Sequence, residues 1–511
     1  MRNSLLDRFR GAGGAAGSSP GAGTFRADFT ASLVVFLVAV PLCVGVAVAS
    51  GVPAELGLIT GIVGGLVTGF LPGSSLQVSG PAAGLTVLVF EAVQEYGVPA
   101  LGVLVLISGL LQLAMGALGF GRWFRAISLA VVQGMLAGIG LVLIAGQLYA
   151  LGDMKAPSSG LDKIFGIPGL IGDVAGSSDS LTAVAVGVGT ILVLVLWPRF
   201  RQGVKILPAP LAAVMFATIV TVSFDLPIAR VEVKGLLEAI QPPGVGEFTQ
   251  LAEVGVIGTI LAFTLIASAE SLFSAAAVDR LHDGPRTEYD KELMAQGAGN
   301  AVCGVLGALP MTAVIVRSSA NVFAGAKTKL SRILHGVWLL VFAVLFPSAL
   351  GIIPIATLAG VLVHAGWKLI PTKDLMPLWR ERRGEAIILI VTAGAIVTTD
   401  MFEGVIIGLL LSVIKTAWET SHVHIDVKGL DGDEDEPVKV RVLGNATFLR
   451  LPKLLDSLEA LPRERVVELD LRGLRHVDHA CEMALATWTE RHNAVVSHAE
   501  TTEEEDTKVP A

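Results

Sequence analysis

The chain has 511 residues, 53% of them hydrophobic and 16% charged, with a net charge of −8. Soluble proteins carry about 25% charged residues, so that class is excluded, and the mean hydropathy of +0.69 places the chain among polytopic α-helical membrane proteins. No basic patch points to nucleic acid, and Cys43, Cys303 and Cys481 lie too far apart in sequence for a disulfide framework or a metal cluster.

Residues 1–27 carry Arg2, Arg8, Arg10 and Arg26 around the stretch GAGGAAGSSPGAG, with no apolar core of signal-peptide length. They read as a disordered cytoplasmic terminus. Residues 28–420 form the membrane part. Its candidate spans are 29–49, 53–71, 81–94, 98–119, 126–149, 181–197, 207–224, 253–278, 292–308, 313–325, 333–350, 354–370, 385–400 and 402–418, fourteen in all. The third and the tenth are short. With the N-terminus inside, the inner loops collect Arg122, Arg199, Arg280, Lys327, Lys368 and Arg380 with their basic neighbours. The outer loops hold only Lys155, Lys163, Arg230 and Lys234. This positive-inside bias needs both short spans to cross, and it puts both termini in the cytoplasm of a cell-membrane protein.

The pattern repeats. A Gly-rich span 2 (Gly57, Gly61, Gly64, Gly65, Gly69) precedes the broken span 3, and a Gly-rich span 9 (Gly297, Gly299, Gly304, Gly307) precedes the broken span 10. Pro81 marks one break and Pro310 the other. Seven spans per half make the two halves inverted, and matching breaks in inverted halves point to a transporter's central site.

Beyond span 14 the reading changes to strands at 421–430, 438–449 and 465–474, and helices at 450–461 and 478–493. This is a small cytosolic α/β module over 421–495. DGDEDEP reads as a loop between its first two strands, and 496–511 as an acidic disordered tail.

The breaks carry the chemistry. Lipid offers no hydrogen-bond partners, so non-helical backbone at membrane depth must be buried or line a wet cavity. QVSG (77–80) looks extended, and Pro81 suits the first turn of a helix. The N–H groups of Ala82, Ala83 and Gly84 would then sit bare near mid-membrane. The helix of span 10 is expected to begin near Thr312 to Val314 and to face them. Two positive helix ends meeting at one point make an anion site without a charged side chain. One such break would signify only a kink; two at matching places point to a site. Arg317, one turn into span 10, adds positive potential. Glu270 in span 8 has Ser274 one turn on, on the same helical face, and this pair suits a bound Na⁺ or a proton. His364 reads as an ordinary buried histidine. No nucleophile–base pair is present, so an enzyme is not expected, and no cofactor is implied other than Na⁺.

The segments VPLCVGVAVASGVPAELGLITGIVGG (40–65), LQVSGPAAGLTVLV (76–89) and LPMTAVIVRSSANVFAGAKTKLS (309–331) resemble the SulP family of inorganic anion transporters over roughly residues 26–493. The module after span 14 resembles that family's STAS domain in shortened form. The resemblance implies a seven-plus-seven inverted repeat, with spans 1–4 and 8–11 as a core domain and spans 5–7 and 12–14 as a gate. It also implies a homodimer, an anion site between spans 3 and 10 with help from span 1, and an acid on span 8 for cation or proton coupling, the position of Glu270. Val46 stands where animal members place a Phe near the anion, and Val316 where prestin-like members have Ser, so more of the binding falls on backbone N–H groups. His479 replaces the phosphorylatable Ser of some STAS domains.

The expected function is a secondary carrier of a small inorganic oxyanion by alternating access, with Na⁺ or H⁺ symport. Bicarbonate comes first and sulfate second, because QVSGPAAGL resembles members found beside or fused to carbonic anhydrase. The alternatives are an anion channel or exchanger of the same family, or a nucleobase carrier of the same fold. The last would need an acid on span 10, where Arg317 stands.

Overall fold

A computed structural model describes residues 22–122, 128–157, 159–200, 207–233, 235–249, 254–428, 430 and 437–506. Every expected span contains a helix. They are α1 (Ala22–Ala49), α2 (Ala54–Phe70), α3 (Thr86–Tyr96), α4 (Val98–Ala117), α5 (Leu129–Leu151), α6 (Ser178–Phe200) and α7 (Ala209–Ser223), then α8 (Val254–Val278), α9 (Tyr289–Val305), α10 (Ile315–Phe323), α11 (Leu330–Leu345), α12 (Ile355–Leu369), α13 (Arg383–Thr398) and α14 (Met401–Thr420). Among the described residues, seven helices are by length and composition long and apolar enough to cross a membrane, and α2, α7 and α11 are shorter apolar helices. The half-length elements are α3, with 11 residues, and α10, with 9.

Two groups of helices emerge from the packing. In the first, α9 lies along α4, α11 along α1 and α2, and α8 against α4; in the second, α12 and α13 pack on α5, and α7 and α12 on α6. These are the core and gate of an inverted repeat. The Gly-rich helices are the close-packing faces, since small residues let backbones approach. A Cβ on Gly65 would fall 2.5 Å from the Gly336 Cα where α2 crosses α11, and one on Gly297 would fall 2.6 Å from the Leu113 nitrogen where α9 crosses α4. Under inversion α2 corresponds to α9 and α11 to α4, so these two crossings are the same contact in the two halves.

The breaks form a feature that the sequence did not reveal. Ser79–Pro81 (β1) and Met311–Ala313 (β2) pair antiparallel, with Ser79 opposite Ala313, Gly80 opposite Thr312 and Pro81 opposite Met311. Side chains complete the backbone accounts on either side. Ser318 Oγ accepts the Val78 N–H at 2.9 Å, Asn300 Oδ1 accepts the Met311 N–H at 2.7 Å, and Asn321 donates to the Leu76 carbonyl at 2.9 Å. Gln77 donates to the Ser271 carbonyl, and Arg332 to the carbonyls of Gln77, Gly69 and Leu71. Away from water these bonds are obligatory. They correct the counting of Arg332, one of the basic neighbours of Lys327, as an inner-loop charge: it is buried in α11.

Three other expectations are corrected. Residues 22–27, placed in a disordered terminus, belong to α1, while 1–21 lie outside the described residues. Residues 496–506, placed in a disordered tail, continue the last helix, as their run of Glu, a good helix former, permits. Pro81 does not open a helix. It ends β1, Ala82 is extended (φ −101°, ψ 133°), a 3-10 turn covers Ala83–Leu85, and α3 starts at Thr86. The DGDEDE stretch lies outside the described residues.

The chain divides into two compact units, the first ending at Leu409 and the second beginning at Leu410, inside α14. In the second unit β3 (Val423–Lys428) pairs antiparallel with β4 (Val438–Ala446), which pairs in parallel with β5 (Val467–Val477). The helix α15 (Leu451–Glu459) makes the crossover, and α16 (His479–Asp506) follows β5. Val438, Val440 and Val442 of β4 meet Leu454, Leu458 and Leu485 in one apolar core, as the alternation in VKVRV requires. Arg450 lies over the Trp418 ring at 4.3 Å, which ties the end of α14 to this unit.

Asp478 caps α16. Its carboxylate accepts the Cys481 N–H at 2.9 Å and the Phe448 N–H at 2.6 Å. These bonds, the Cys481 one first, hold its pKa below the usual 3.8. A group depressed on folding stabilises above its unfolded pKa, and the contribution is lost as pH falls through the folded value. Asp478→Ala is therefore expected to lower the melting temperature of this unit by about 5 °C at neutral pH, and Asp478→Asn by much less, because Asn also caps. The difference between wild type and Asp478→Ala should shrink as pH falls below the unfolded carboxyl value of about 3.9 and through the lower folded one. Hydrogen exchange at the Cys481 and Phe448 amides checks both statements.

Candidate functional site

The two chain breaks meet at one cavity of about 190 Å³. On the core side it is lined by Leu42 and Val46 of α1, by Pro81, Ala83 and Gly84, by Glu270, Phe273 and Ser274 of α8, and by Val314, Ile315, Val316 and Arg317. On the gate side it is lined by Val132, Met135 and Leu136 of α5 and by Ala365, Lys368 and Leu369 of α12.

Both half-helices open toward this cavity. The Leu85 N–H bonds to the Ala82 carbonyl at 3.2 Å, and the Ser318 N–H to the Val314 carbonyl at 3.0 Å. These are the first bonds of each turn. The N–H groups of Ala83 and Gly84, and of Ile315, Val316 and Arg317, therefore form the open helix ends. The expected start of the span 10 helix near Thr312 to Val314 moves to Ile315, because Thr312 and Ala313 are held in β2 and Val314 is the N-cap.

Of the residues singled out from sequence, Val46, Pro81, Ala83, Gly84, Val314, Val316, Arg317, Glu270 and Ser274 line the cavity. Ala82 and Thr312 do not. Ala82 is turned into the apolar core, and Thr312 is fully buried behind the wall.

The carboxylate of Glu270 sits against the first of these helix ends. A Cβ on Gly84 would fall 2.8 Å from one of its oxygens and 2.9 Å from the other, so only Gly admits the carboxylate there. The Thr312 hydroxyl lies beside it. Neither that hydroxyl nor Glu270 Oε2 has a hydrogen bond of good geometry, which leaves a carboxylate oxygen and a hydroxyl free for a cation or a proton. Ser274 adds a second hydroxyl to the same wall.

Arg317 is 0% exposed, and its Nε, Nη1 and Nη2 all lack hydrogen-bond partners. The guanidinium packs directly on Gly80 and lies beside the Cys43 thiol. It sits behind β1, next to the cavity, and forms no ion pair with a carboxylate among the described residues. His335 of α11, also fully buried, lies within electrostatic reach of Arg317 and has neither ring nitrogen bonded. Nothing in its local sequence marks it, since it falls mid-helix among apolar residues.

Lys163, on a short helix between α5 and α6, places its ammonium over the Phe90 ring of α3 at 5.1 Å. The gate residues missed from sequence, Val132, Met135, Leu136, Ala365 and Leu369, are ordinary apolar helix positions. No break or charge distinguishes them from lipid-facing neighbours.

A family model described as the sulfate permease family matches residues 25–392. Among curated relatives, a putative sulfate transporter of Bacillus subtilis, YvdB, is 27% identical over 444 residues, covering 82% of this chain and 81% of that one. The bicarbonate transporter BicA of Synechocystis is 26% identical over 378 residues, covering 71% of this chain and 65% of that one. Among solved structures, the transmembrane domain of a cyanobacterial BicA superposes with a TM-score of 0.64 at 20% identity, covering 76% of this chain and 97% of that domain. Murine SLC26A9, an anion transporter, superposes with a TM-score of 0.77 at 17% identity, covering 96% and 90%. With that match spanning most of the membrane unit and running through both chain breaks, the chain belongs to the sulfate permease family, a family of transporters and not of enzymes.

Proposed function

We propose that the protein is a secondary active carrier of a small inorganic oxyanion, working by alternating access between the core and gate helices. Two open helix ends and one unpaired buried guanidinium bordering a single cavity carry this reading. Such a site selects negative charge and compact size, and it offers few side-chain donors to any larger ligand. Bicarbonate is the first substrate and sulfate the second, in line with the names of the relatives above. Glu270, with Ser274 and Thr312, takes Na⁺ or a proton and couples its gradient to uptake. The N- and C-termini face the cytoplasm, the second unit is a shortened STAS domain, and the working form in the cell membrane is a homodimer.

The test is uptake of radiolabelled bicarbonate and sulfate into proteoliposomes under a Na⁺ gradient, a pH gradient and neither. Saturable uptake of one anion, accelerated by one gradient, is the expected result. Absence of uptake under every condition overturns the reading. Unitary currents in planar bilayers would replace it with a channel. The nucleobase alternative would require competition by uracil or xanthine, and Arg317 in place of an acid on α10 stands against it.

A further inference from the structure

The core wall of the cavity contains the groups already assigned to anion and cation. The gate wall is built from six residues, Val132, Met135, Leu136, Ala365, Lys368 and Leu369, and five of them are apolar. From its place in sequence Lys368 reads as one more inner-loop charge near the end of α12. In the structure Ala365, Lys368 and Leu369 recur at i, i+3 and i+4 and so share one helical face, and this face is the one that lines the cavity. Lys368 is exposed, as is Trp367 about 100° around the helix, but of the two only Lys368 borders the cavity. Lys368 makes no hydrogen bond or ion pair among the described residues. Its ordinary alternatives are weaker here. A last-turn lysine complements the helix dipole from any azimuth, and a snorkelling lysine reaches along the lipid face toward the headgroups. Neither role places the side chain opposite two open helix ends.

We propose that Lys368 is a gate-side contact for the transported anion, which it meets at the inner mouth of the cavity. This rests on the carrier reading above and extends it to a second wall of the site. The gate residues that line the cavity come from the first turns of α5 and the last turns of α12, both cytoplasmic ends in the proposed orientation. At the opposite ends of these helices Lys163 lies over Phe90, beside a separate, smaller cavity of about 30 Å³. An anion entering from inside therefore passes Lys368 before it reaches the helix ends. When the core moves against the gate to open outward, Gly84 and Arg317 move with the core while Lys368 stays with α12. The contact exists in the inward-open state and is broken in the outward-open one. Lys368 thus contributes to affinity on one face of the membrane only, a difference that side chains of the core cannot produce.

The experiment measures half-saturation for bicarbonate and for sulfate from each face of the membrane, using full-length protein in proteoliposomes of defined orientation. Wild type, Lys368→Gln and Lys368→Arg are compared at low and high ionic strength. The Gln variant is expected to raise the inner-face half-saturation about fivefold at low salt, as loss of one partly solvated charge contact should, and to leave the outer face unchanged. Its inner-face half-saturation should also depend less on ionic strength. The Arg variant keeps the charge and is expected to stay near wild type. Equal half-saturation in Lys368→Gln, an equal rise on both faces, or no rescue by Arg overturns the proposal while leaving the carrier reading in place. A wild-type protein that transports neither anion removes the carrier reading, and this inference falls with it.

Discussion

Glu270→Gln is expected to abolish gradient-driven anion accumulation while sparing equilibrium anion binding and the melting temperature. The reason is electrostatic. The carboxylate packs against Gly84, at the same open helix end that would attract the anion. Two negative charges roughly 5 Å apart at an effective dielectric near 20 repel by about 3 kcal/mol, more than a hundredfold in affinity. On the proposed carrier reading, the oxyanion would enter well only when Glu270 carries Na⁺ or a proton, and this conditional affinity would couple the two. In that reading Glu270 Oε2 and the Ser274 hydroxyl on the cavity wall, with the Thr312 hydroxyl behind it, would supply the ligands. With Gln in place, the repulsion is gone and so is the charge that a cation would neutralise. Anion binding should become insensitive to Na⁺ and pH, and uptake should fall to the rate without a gradient. Isothermal titration with and without Na⁺, alongside proteoliposome uptake, checks both halves. Uptake that still follows the gradient in this variant would remove Glu270 from the coupling.

Arg317→Ala is expected to weaken anion binding by about 10- to 100-fold, the range that loss of one charge roughly 6–8 Å away produces in a partly screened site, and to leave stability unchanged or raised. A structural arginine would behave in the opposite way. Arg317 has none of its guanidinium nitrogens bonded and is fully buried, so the folded protein bears its desolvation without local compensation. Such an arrangement is retained where a ligand supplies the missing negative charge, and its removal relieves the resting protein. Arg332 makes the contrast. It is equally buried but donates to three backbone carbonyls, and Arg332→Ala should destabilise by leaving those carbonyls unpaired. Thermal unfolding of the two variants side by side separates the roles. A large loss of melting temperature in Arg317→Ala with unaltered half-saturation would count against its place at the site.

Much of this architecture is legible in the chain itself because its causes are local. Long apolar runs become helices wherever water is absent, so the fourteen helices fall close to their expected ranges. The alternation in VKVRV and the apolar positions of LPKLLDSLEA give the strand and helix order of the second unit. Pro81 and Pro310, each following a Gly-rich span, announce that both halves break their backbone at the same place. The exchange of short helix for strand at Pro81 was not legible. β1 and β2 are three residues each and have no periodicity of their own, and they exist only because Ser79 meets Ala313 across more than two hundred residues.

What the sequence alone determined, then, is that the backbone must stop being helical at QVSGP and at LPMTA, and that an acid and an arginine lie nearby in depth. Only the tertiary structure decided what those stops become. Pairing of the two breaks satisfies their backbone and postpones each helix start, to Ala83 and to Ile315. It also buries Arg317 behind Gly80 and leaves the Glu270 carboxylate against Gly84. The gate wall, with Lys368 in it, was decided by how α5 and α12 lean on the core. That contact depends on shape complementarity between distant helices, and apolar side chains carry the same hydropathy whether they face lipid, protein or an anion's path.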